Sequence, residues 1–398
     1  DQPPGIHSIS VRRKDLISNR LPFAVDSLPE GLEQEPNHRP DAAQSVALPF
    51  IINGRIESPG DCDVFRFQGR AGEQVVAEVM ARRLGSPLDS TLKLTDANGR
   101  QLAFNDDHAD KGLGLDTHHA DSWLSATLPE DGTYYIQVGD AQRQGGPEYS
   151  YRLRLSPPRP DFELRVSPSS INARTGVAVP LTVYALRKDG FAGEIELVLN
   201  QEKGFTLNGG RVPPGQDQAR LTLTTPSRPL KEPVSLRLEG RAVVQGQEIK
   251  RPGVPAEDMT QAFSYRHLVP AHELKVSVTG RGLGRGPVSI ASETPLKIPA
   301  GGTARVRMAG PSSVSLDRLK LELNEPPDGI ALRSVSSNRQ GAELVLECDA
   351  SKVKPGLQGN LIVNAFANRT PAKGPQGAKQ SQPLGTLPAI PFEVVAPR

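Results

Sequence analysis

The sequence predicts an all-β protein built of tandem β-sandwiches, and three observations support this fold class. Gly and Pro are abundant, with 38 and 37 residues in a chain of 398, or roughly a fifth against a usual ~12%. Both are poor in helix interiors and good in turns. Apolar residues make up 36% of the chain and recur in short runs that alternate with polar residues, the period of a half-buried strand. Turn residues separate these runs along the whole length, so we expect many short strands joined by many turns.

Residues 1–30 contain GIHSISVRRKDLISNRLPFAVDSLPE, which predicts two strands around a polar turn. Two strands cannot form a core alone. We therefore expect the terminal hairpin of a truncated upstream immunoglobulin-like or TIG-like domain, or alternatively a hairpin that packs on a later domain. Because residue 1 is Asp and no signal peptide is visible, we expect the chain to begin inside a longer gene product.

Residues 31–157 predict a first complete sandwich. Turn sequences such as SPGD, DANG and PEDG separate short alternating runs, and their spacing of roughly 8–14 residues is typical of a jelly-roll-like fold. The expected strands are 51–56, 63–68, 74–81, 90–96, 100–105, 122–128, 133–139 and 149–155.

Two further sandwiches are expected after the Pro-rich linker SPPRP. Apolar residues alternate with Lys, Arg, Glu and Thr in both 158–271 and 272–398. Each strand is therefore expected to have one solvent-exposed face. Both segments predict an immunoglobulin-like sandwich. The stretch 251–271 is long and irregular and could be a packed connector, whereas 370–388 is polar and rich in Gly and Pro, as in a long hairpin loop.

Charge and composition exclude several classes of partner. Lys and Arg number 47 against 45 Asp and Glu, a net charge of +2, so no global field favours nucleic acid or an anionic membrane. No apolar run approaches the ~20 residues of a membrane span. Cys62 and Cys348 are too few for a disulfide framework and lack the spacing of metal ligands; we interpret each as a small buried hydrophobe.

The segment 104–124 holds the densest cluster of possible ligands. It contains Asn105, Asp106, Asp107, Asp110, Asp116 and Asp121, with His108, His118 and His119. Carboxylates packed together repel one another, and Ca2+, which takes six to eight oxygen ligands, would remove that penalty. Asp89 could add an oxygen. A solvated loop that needs no metal remains an alternative, and a transition metal held by His118 and His119 is a weaker one, because adjacent strand residues point to opposite faces.

A second acidic group is dispersed in the sequence. Glu33, Glu35 and Asn37 alternate in EQEPN, so they could share one side of an extended segment. Asp61 and Asp63 alternate in the same way in GDCD. Taken alone, the two stretches indicate only a turn and the start of a strand.

Five motifs follow one another in an order that resembles a known family. They are E-x-E-P-N, G-D-x-D-x-F-x-F, S-x-L-x-L-x-D-x-x-G, N-D-D and G-T-Y-Y-I-x-V. Together they resemble the bacterial pre-peptidase C-terminal domain, which is similar to the collagen-binding domains of clostridial collagenases; the match covers about residues 31–157. The motifs RLGSPLDS, NDD, THHADS and GGPEYSYRLR further resemble large secreted multidomain proteins of planctomycete-like bacteria.

The resemblance implies a β-sandwich that binds Ca2+ through an acidic linker and the following turn. The matching positions are Glu33, Glu35, Asn37 and Asp63, with Asp61 close by. His38 stands where the collagenase pattern offers a further carboxylate, which argues against a second ion there. The aromatic patch that serves collagen binding in those relatives is not recognisable. The resemblance also implies a secreted, cell-surface or periplasmic location.

Signatures of catalysis are absent from the sequence. It has no G-x-S-x-G and no H-E-x-x-H, and GRGLGRG lacks the βαβ context of a nucleotide loop. We expect a non-catalytic extracellular or cell-surface protein with a structural or adhesive role, stabilised by calcium, whose partners are other surface proteins or extracellular polysaccharide. The alternatives are a polysaccharide- or protein-binding accessory module of a larger secreted hydrolase, or a hydrolase fragment whose active site lies elsewhere.

Overall fold

The computed structural model describes residues 4–108, 120–200, 204–260, 266–280, 287–310, 319–338, 341–369 and 380–397. Within these ranges the regular structure is 35 β-strands and two short 3-10 turns, Pro40–Ala42 and Arg82–Leu84. The all-β prediction is therefore confirmed. In the same ranges no helix has the length and hydropathy needed to cross a membrane.

The chain divides into two compact units, each treated separately below. The first unit comprises Asp1–Pro160, Lys188–Gly190 and Met259–Val269. The second comprises Asp161–Arg187, Phe191–Asp258 and Pro270–Arg398.

The first unit opens with a hairpin and continues as a two-sheet sandwich. The hairpin strands are β1 (Gly5–Ile9), β2 (Arg12–Arg13), β3 (Leu16–Ile17) and β4 (Leu21–Val25). The sandwich strands are β5 (Glu30–Leu32), β6 (Gln44–Ser45), β7 (Phe50–Arg55), β8 (Cys62–Gly69), β9 (Gln74–Met80), β10 (Ser90–Asp96), β11 (Gln101–Asn105), β12 (Trp123–Thr127), β13 (Gly132–Asp140) and β14 (Ser150–Ser156). Their sheet orders are β11-β10-β13-β8-β6 and β12-β9-β14-β7-β5.

The core of this sandwich is formed by strands in which apolar residues alternate with polar ones. Strand β10 buries every second residue, including Leu92 and Leu94, and β8 buries Phe65 and Phe67 toward the same interior. Fully burying an aliphatic or aromatic side chain of this size contributes ~1.5–3 kcal/mol. The eight strands expected between residues 51 and 155 all form, each within one residue of its expected bounds.

Two short strands that the sequence analysis missed shape the first unit. Strand β5 pairs in parallel with β7, and β6 pairs in parallel with β8. Because β7 and β8 belong to different sheets, the chain between β5 and β6 crosses from one sheet to the other. This crossing segment, residues 33–43, contains the acidic EQEPN motif.

Twenty-one further strands follow from residue 161 within the described ranges, and most of them lie in the second unit. They are β15 (Asp161–Ser167), β16 (Ser170–Ala173), β17 (Ala178–Lys188), β18 (Ile195–Leu199), β19 (Thr206–Asn208), β20 (Arg211–Val212), β21 (Gln218–Thr224), β22 (Val234–Leu236), β23 (Leu238–Val244), β24 (Gln247–Thr260), β25 (Arg266–Pro270), β26 (Leu274–Val278), β27 (Ser289–Ile290), β28 (Leu296–Pro299), β29 (Thr303–Ala309), β30 (Leu319–Asn324), β31 (Ile330–Asn338), β32 (Gly341–Cys348), β33 (Gln358–Arg369), β34 (Gln380–Thr386) and β35 (Ile390–Val395). The ends of β17 and β24 and most of β25 are counted with the first unit.

Two hydrophobic cores lie within the second unit. The first gathers Phe162, Leu181 and Leu221, and it also includes Val276 from β26. The second is built from residues 296–394. The expected division between residues 271 and 272 stays a prediction, but β26 packs with the core that precedes it. Cys348 is buried in the second core and Cys62 is half-buried in the first unit; both are free thiols.

Candidate metal centre

The crossing segment carries the acidic motif over one edge of the sandwich. The Gln34 backbone N–H donates to the Gln44 Oε1 atom at 2.8 Å, and the Gln44 Nε2 atom donates to the Leu32 carbonyl at 3.2 Å. These two bonds tie both ends of the crossing together. As a result, Glu33 and Glu35 lie beside the start of β8, where Asp63 is located.

Three carboxylates converge at this place. Single oxygen atoms of Glu33, Glu35 and Asp63 all lie within 4.8 Å of one another. Among the described residues, they form the one group of three acidic, His or Cys side chains close enough to share a metal ion. Glu35 is exposed, Glu33 is half-buried and Asp63 is fully buried, so the cluster runs from the surface into the protein.

Asp63 is the deepest member of the cluster. Its Oδ2 atom accepts the Tyr151 hydroxyl at 2.6 Å, whereas its Oδ1 atom has no hydrogen-bond partner among the described residues. Burial, together with the nearby charges of Glu33 and Asp61, raises the pKa of Asp63 to about 9. The ionised form of Asp63 would be stabilised here by a nearby cation.

Glu33 links the crossing segment to β7 and β14. Its Oε1 atom accepts the Arg55 backbone N–H at 2.7 Å, and its Oε2 atom lies 3.1 Å from the Tyr151 hydroxyl. That hydroxyl has one hydrogen, so it cannot donate to Glu33 and Asp63 at once. Burial raises the pKa of Glu33 above its usual value, although the hydrogen bonds to its carboxylate act in the opposite direction.

The backbone of Asn37 connects Glu35 to β8. Its backbone N–H donates to the Glu35 Oε2 atom at 2.8 Å, and its carbonyl accepts the Val64 N–H at 2.9 Å. The side chain is fully buried, yet neither Oδ1 nor Nδ2 has a partner among the described residues. A buried amide without hydrogen bonds costs roughly 1–3 kcal/mol.

The unpartnered oxygen atoms of Asn37 and Asp63 are of the type that a hard cation binds. Ca2+ takes carboxylate and amide carbonyl oxygens at flexible geometry, and Glu33, Glu35, Asn37 and Asp63 offer both kinds. A cation would use the free Oδ1 atoms of Asn37 and Asp63 and would offset the like charges. The residues present therefore fit a calcium ion.

Gly54 keeps the space beside Glu33 and Tyr151 open. A Cβ atom at this position would lie 2.4 Å from both the Glu33 Oε2 atom and the Tyr151 hydroxyl oxygen. Contacts this short force both side chains to move. The glycine thus permits the arrangement of the acidic cluster.

The substitution Gly54→Ala is expected to displace both Glu33 and Tyr151 and to weaken calcium binding at least about tenfold, because one carboxylate ligand is moved out of place. Isothermal titration calorimetry with CaCl2 measures this effect. Gly132→Ala is the matched control, since a Cβ there meets nothing within 4 Å. Equal calcium affinity in the two variants would show that the cluster does not bind the ion.

Asp61, the remaining residue that the motif placed here, has its own partners. Its Oδ2 atom accepts the Glu57 N–H and its Oδ1 atom accepts the Cys62 N–H, both at 2.8 Å. These bonds shape the turn before β8. Asp61 acts on the cluster through its charge, which contributes to the raised pKa of Asp63.

The second predicted cluster does not gather around one point within the described residues. Asp106 and Asp107 are exposed after β11. Asp89 lies before β10, where burial and the charges of Asp107 and Asp140 raise its pKa. Asp110, Asp116, His118 and His119 lie outside the described residues.

Asp121 has a different environment from the one that a metal ligand needs. Its side chain is buried and accepts four N–H groups, from the Ala81, Arg82 and Arg83 backbones and from the Arg83 Nε atom, at 2.7–3.2 Å. Both carboxylate oxygens are thus already engaged. Asp121 therefore stabilises the turn 82–84 through these hydrogen bonds.

Arg83 joins Asp121 to a buried ion network that the sequence analysis did not identify. Its Nη1 atom donates to the Glu78 Oε1 atom at 2.8 Å, and Arg154 approaches the Glu78 Oε2 atom at 2.8 Å. Burial alone would raise the pKa of Glu78, but the two guanidinium groups outweigh it and lower the pKa to about 2. This network holds β9 and β14 to the turn 82–84.

Comparisons with known proteins give partial likenesses. The chain matches no known family model. It is 43% identical over 142 residues to a probable subtilase-type serine protease of Deinococcus radiodurans, a match that covers 33% of this chain and 18% of that protein. The chain thus spans less than a fifth of the length of this relative.

Solved structures show only low overall structural similarity to this chain. The pre-peptidase C-terminal domain of a Bacillus anthracis collagenase is 17% identical at a TM-score of 0.21, covering 30% of this chain and 98% of that domain. Fibronectin(III)-like modules of Clostridium thermocellum CbhA are 10% identical at a TM-score of 0.16, covering 59% and 94%. A marsupial T cell receptor is also 10% identical, at a TM-score of 0.18, covering 57% and 99%. Structural similarity this low gives no information about function.

Proposed function

We propose that this chain is a non-catalytic extracellular or cell-surface protein whose tandem β-sandwiches serve a structural or adhesive role. In this proposal, calcium stabilises the first unit. The observation that carries it is the acidic group beside β8, in which the buried Asn37 amide and the buried Asp63 carboxylate each have an oxygen atom without a partner among the described residues. The likeness of the 31–157 motifs to the pre-peptidase C-terminal domain supports the same ion.

Calcium in this position would have a mechanical role. The crossing segment is held by the short strands β5 and β6, of three and two residues. An ion bound by Glu33, Glu35, Asn37 and Asp63 would fasten this segment to β8. The ends of the two sheets would then be linked through oxygen ligands as well as backbone hydrogen bonds.

The test is calorimetric unfolding of the full chain in CaCl2 and in EGTA. With calcium at 100 times its Kd, the stabilisation expected from mass action is about 2.7 kcal/mol, seen as a higher melting temperature. MgCl2 at equal ionic strength is the control, because Mg2+ demands stricter geometry and keeps its waters. Identical melting in CaCl2 and EGTA would remove the proposal.

A second function is favoured by the match to a protein named as a protease. This chain could be an accessory module, binding polysaccharide or protein, of a larger secreted hydrolase. Pull-down of the chain with insoluble polysaccharides and extracellular-matrix proteins separates the two functions. Saturable binding to one of these materials supports the accessory role, whereas binding to none supports the structural one.

A further inference from the structure

The hairpin at the start of the first unit has an unusual surface. Strands β1 and β4 pair with His7 opposite Phe23 and Ile9 opposite Leu21. Beyond them, β2 and β3 form the tip, with Arg12 opposite Ile17. Residues 5–25 thus form a two-stranded ribbon.

Exposed apolar side chains are concentrated on this ribbon. Of the twelve large hydrophobic residues that are exposed within the described chain, seven lie here: Ile6, Ile9, Val11, Leu16, Ile17, Leu21 and Phe23. Isolated exposed hydrophobes are normal, but a contiguous group marks an interaction surface. Exposure is highest near the tip, at 74% for Val11 and 76% for Leu16.

The tip exposes apolar side chains on both faces of the ribbon. Leu16 and Ile17 are neighbours on β3 and therefore point to opposite faces, yet they are 76% and 63% exposed. A packed β-sheet would cover only one of them. A lipid interface, in contrast, surrounds an inserted tip on all sides.

Positive charge accompanies these side chains. Residues 4–25 contain Arg12, Arg13, Lys14 and Arg20 against the single acid Asp15, a net +3, whereas the whole chain carries +2. The balanced total therefore conceals a local basic patch. Two copies of the ribbon would bring like charges together, which disfavours a second copy as the partner.

We propose that this ribbon docks on an anionic phospholipid surface. Val11, Leu16 and Ile17 enter the boundary between headgroups and acyl chains, while Arg12, Arg13 and Lys14 contact lipid phosphates. Each basic residue near such a surface strengthens binding about fivefold. The inference does not depend on calcium and goes beyond the proposed function.

Cosedimentation of the full chain with phosphatidylcholine vesicles, with and without phosphatidylglycerol, tests this docking. Binding is expected only with phosphatidylglycerol and should weaken as salt rises. The double variant Leu16→Ser, Ile17→Ser should lower binding about tenfold or more. The double variant Arg12→Gln, Arg13→Gln should lower it by a similar factor.

Val243→Ser is the matched control, because Val243 is 66% exposed but lies outside the ribbon. It should bind as the wild type does, in EGTA as well as in calcium. Absence of binding to phosphatidylglycerol vesicles, or binding that both double variants retain, would overturn the inference. So would light scattering that shows a wild-type dimer abolished by Leu16→Ser, Ile17→Ser, since the ribbon would then bind a second copy.

Discussion

Replacing Asp63 by Asn is expected to abolish the calcium-induced stabilisation of the first unit and to make the calcium-free protein more stable. The buried Oδ1 atom of Asp63 has no partner among the described residues, and the carboxylate faces Glu33. Because the pKa of Asp63 is raised to about 9, folding without calcium at neutral pH must protonate this carboxyl group, whereas an Asn side chain is neutral in both states and still offers a donor to Glu33. It also removes the most buried anionic ligand, so the full ~2.7 kcal/mol expected at 100 times the Kd should disappear.

Calorimetry in CaCl2 and EGTA measures both effects of Asp63→Asn. The matched control is Asp121→Asn, which also neutralises a buried Asp in the first unit. Because Asp121 accepts four N–H groups, this variant should melt lower in both buffers and keep the calcium shift. An Asp63→Asn variant that retains the wild-type calcium shift would contradict the assignment of the site.

The substitution Arg83→Met is expected to destabilise the first unit by about 3–5 kcal/mol, because it leaves buried charges without their partner. Arg83 contacts Glu78 and Asp121 at 2.8 and 2.7 Å, and the side chains of all three are at least 84% buried. Met approximates the aliphatic part of Arg, so lost packing contributes little. Arg154 would then be the remaining guanidinium group in contact with Glu78, and Asp121 would lose its cation.

Urea unfolding followed by tryptophan fluorescence measures this loss, since Trp123 lies on β12 of the first unit and is the chain's one Trp. Arg39→Met is the control. Arg39 pairs with Asp41 at 2.7 Å, but their side chains are 65% and 68% exposed, and such pairs contribute less than about 1 kcal/mol. Similar losses in the two variants would show that the buried network does not stabilise the unit.

The strands of the first sandwich could be predicted because their alternation is long enough to see. Strand β10 reads S-T-L-K-L-T-D with every second residue buried. In contrast, β5 and β6 have three and two residues, too few to show a period. Their parallel pairing with β7 and β8 depends on the tertiary fold, so the crossing of residues 33–43 between the sheets was not foreseen.

The candidate site could be predicted in part. The alternation in EQEPN suggested that Glu33, Glu35 and Asn37 share one side, and the family motif added Asp63. Tyr151 and Gly54 were missed because they are contributed by β14 and β7, which are paired only in the folded sheet. No local pattern marks a glycine that is needed for space.

Asp121 shows the limit of composition as a guide to metal sites. It lies in a segment rich in Asp, as a calcium ligand would, but the turn 82–84 supplies it with N–H donors. Asp63 has a similar burial and lacks such donors. The number of donors reaching each carboxylate separates a structural acid from a candidate ligand, and this number follows from the fold.

Equilibrium dialysis against calcium tests the central claim most directly, because it measures bound ion without reference to stability. The wild-type chain is expected to retain calcium, and the triple variant Glu33→Gln, Glu35→Gln, Asp63→Asn is expected to lose the ion held at these residues. Asp106→Asn, Asp107→Asn serves as the control and should leave that ion in place. A wild-type chain that retains no calcium, or a triple variant that retains as much as the wild type, would contradict the claim that this cluster is a calcium site.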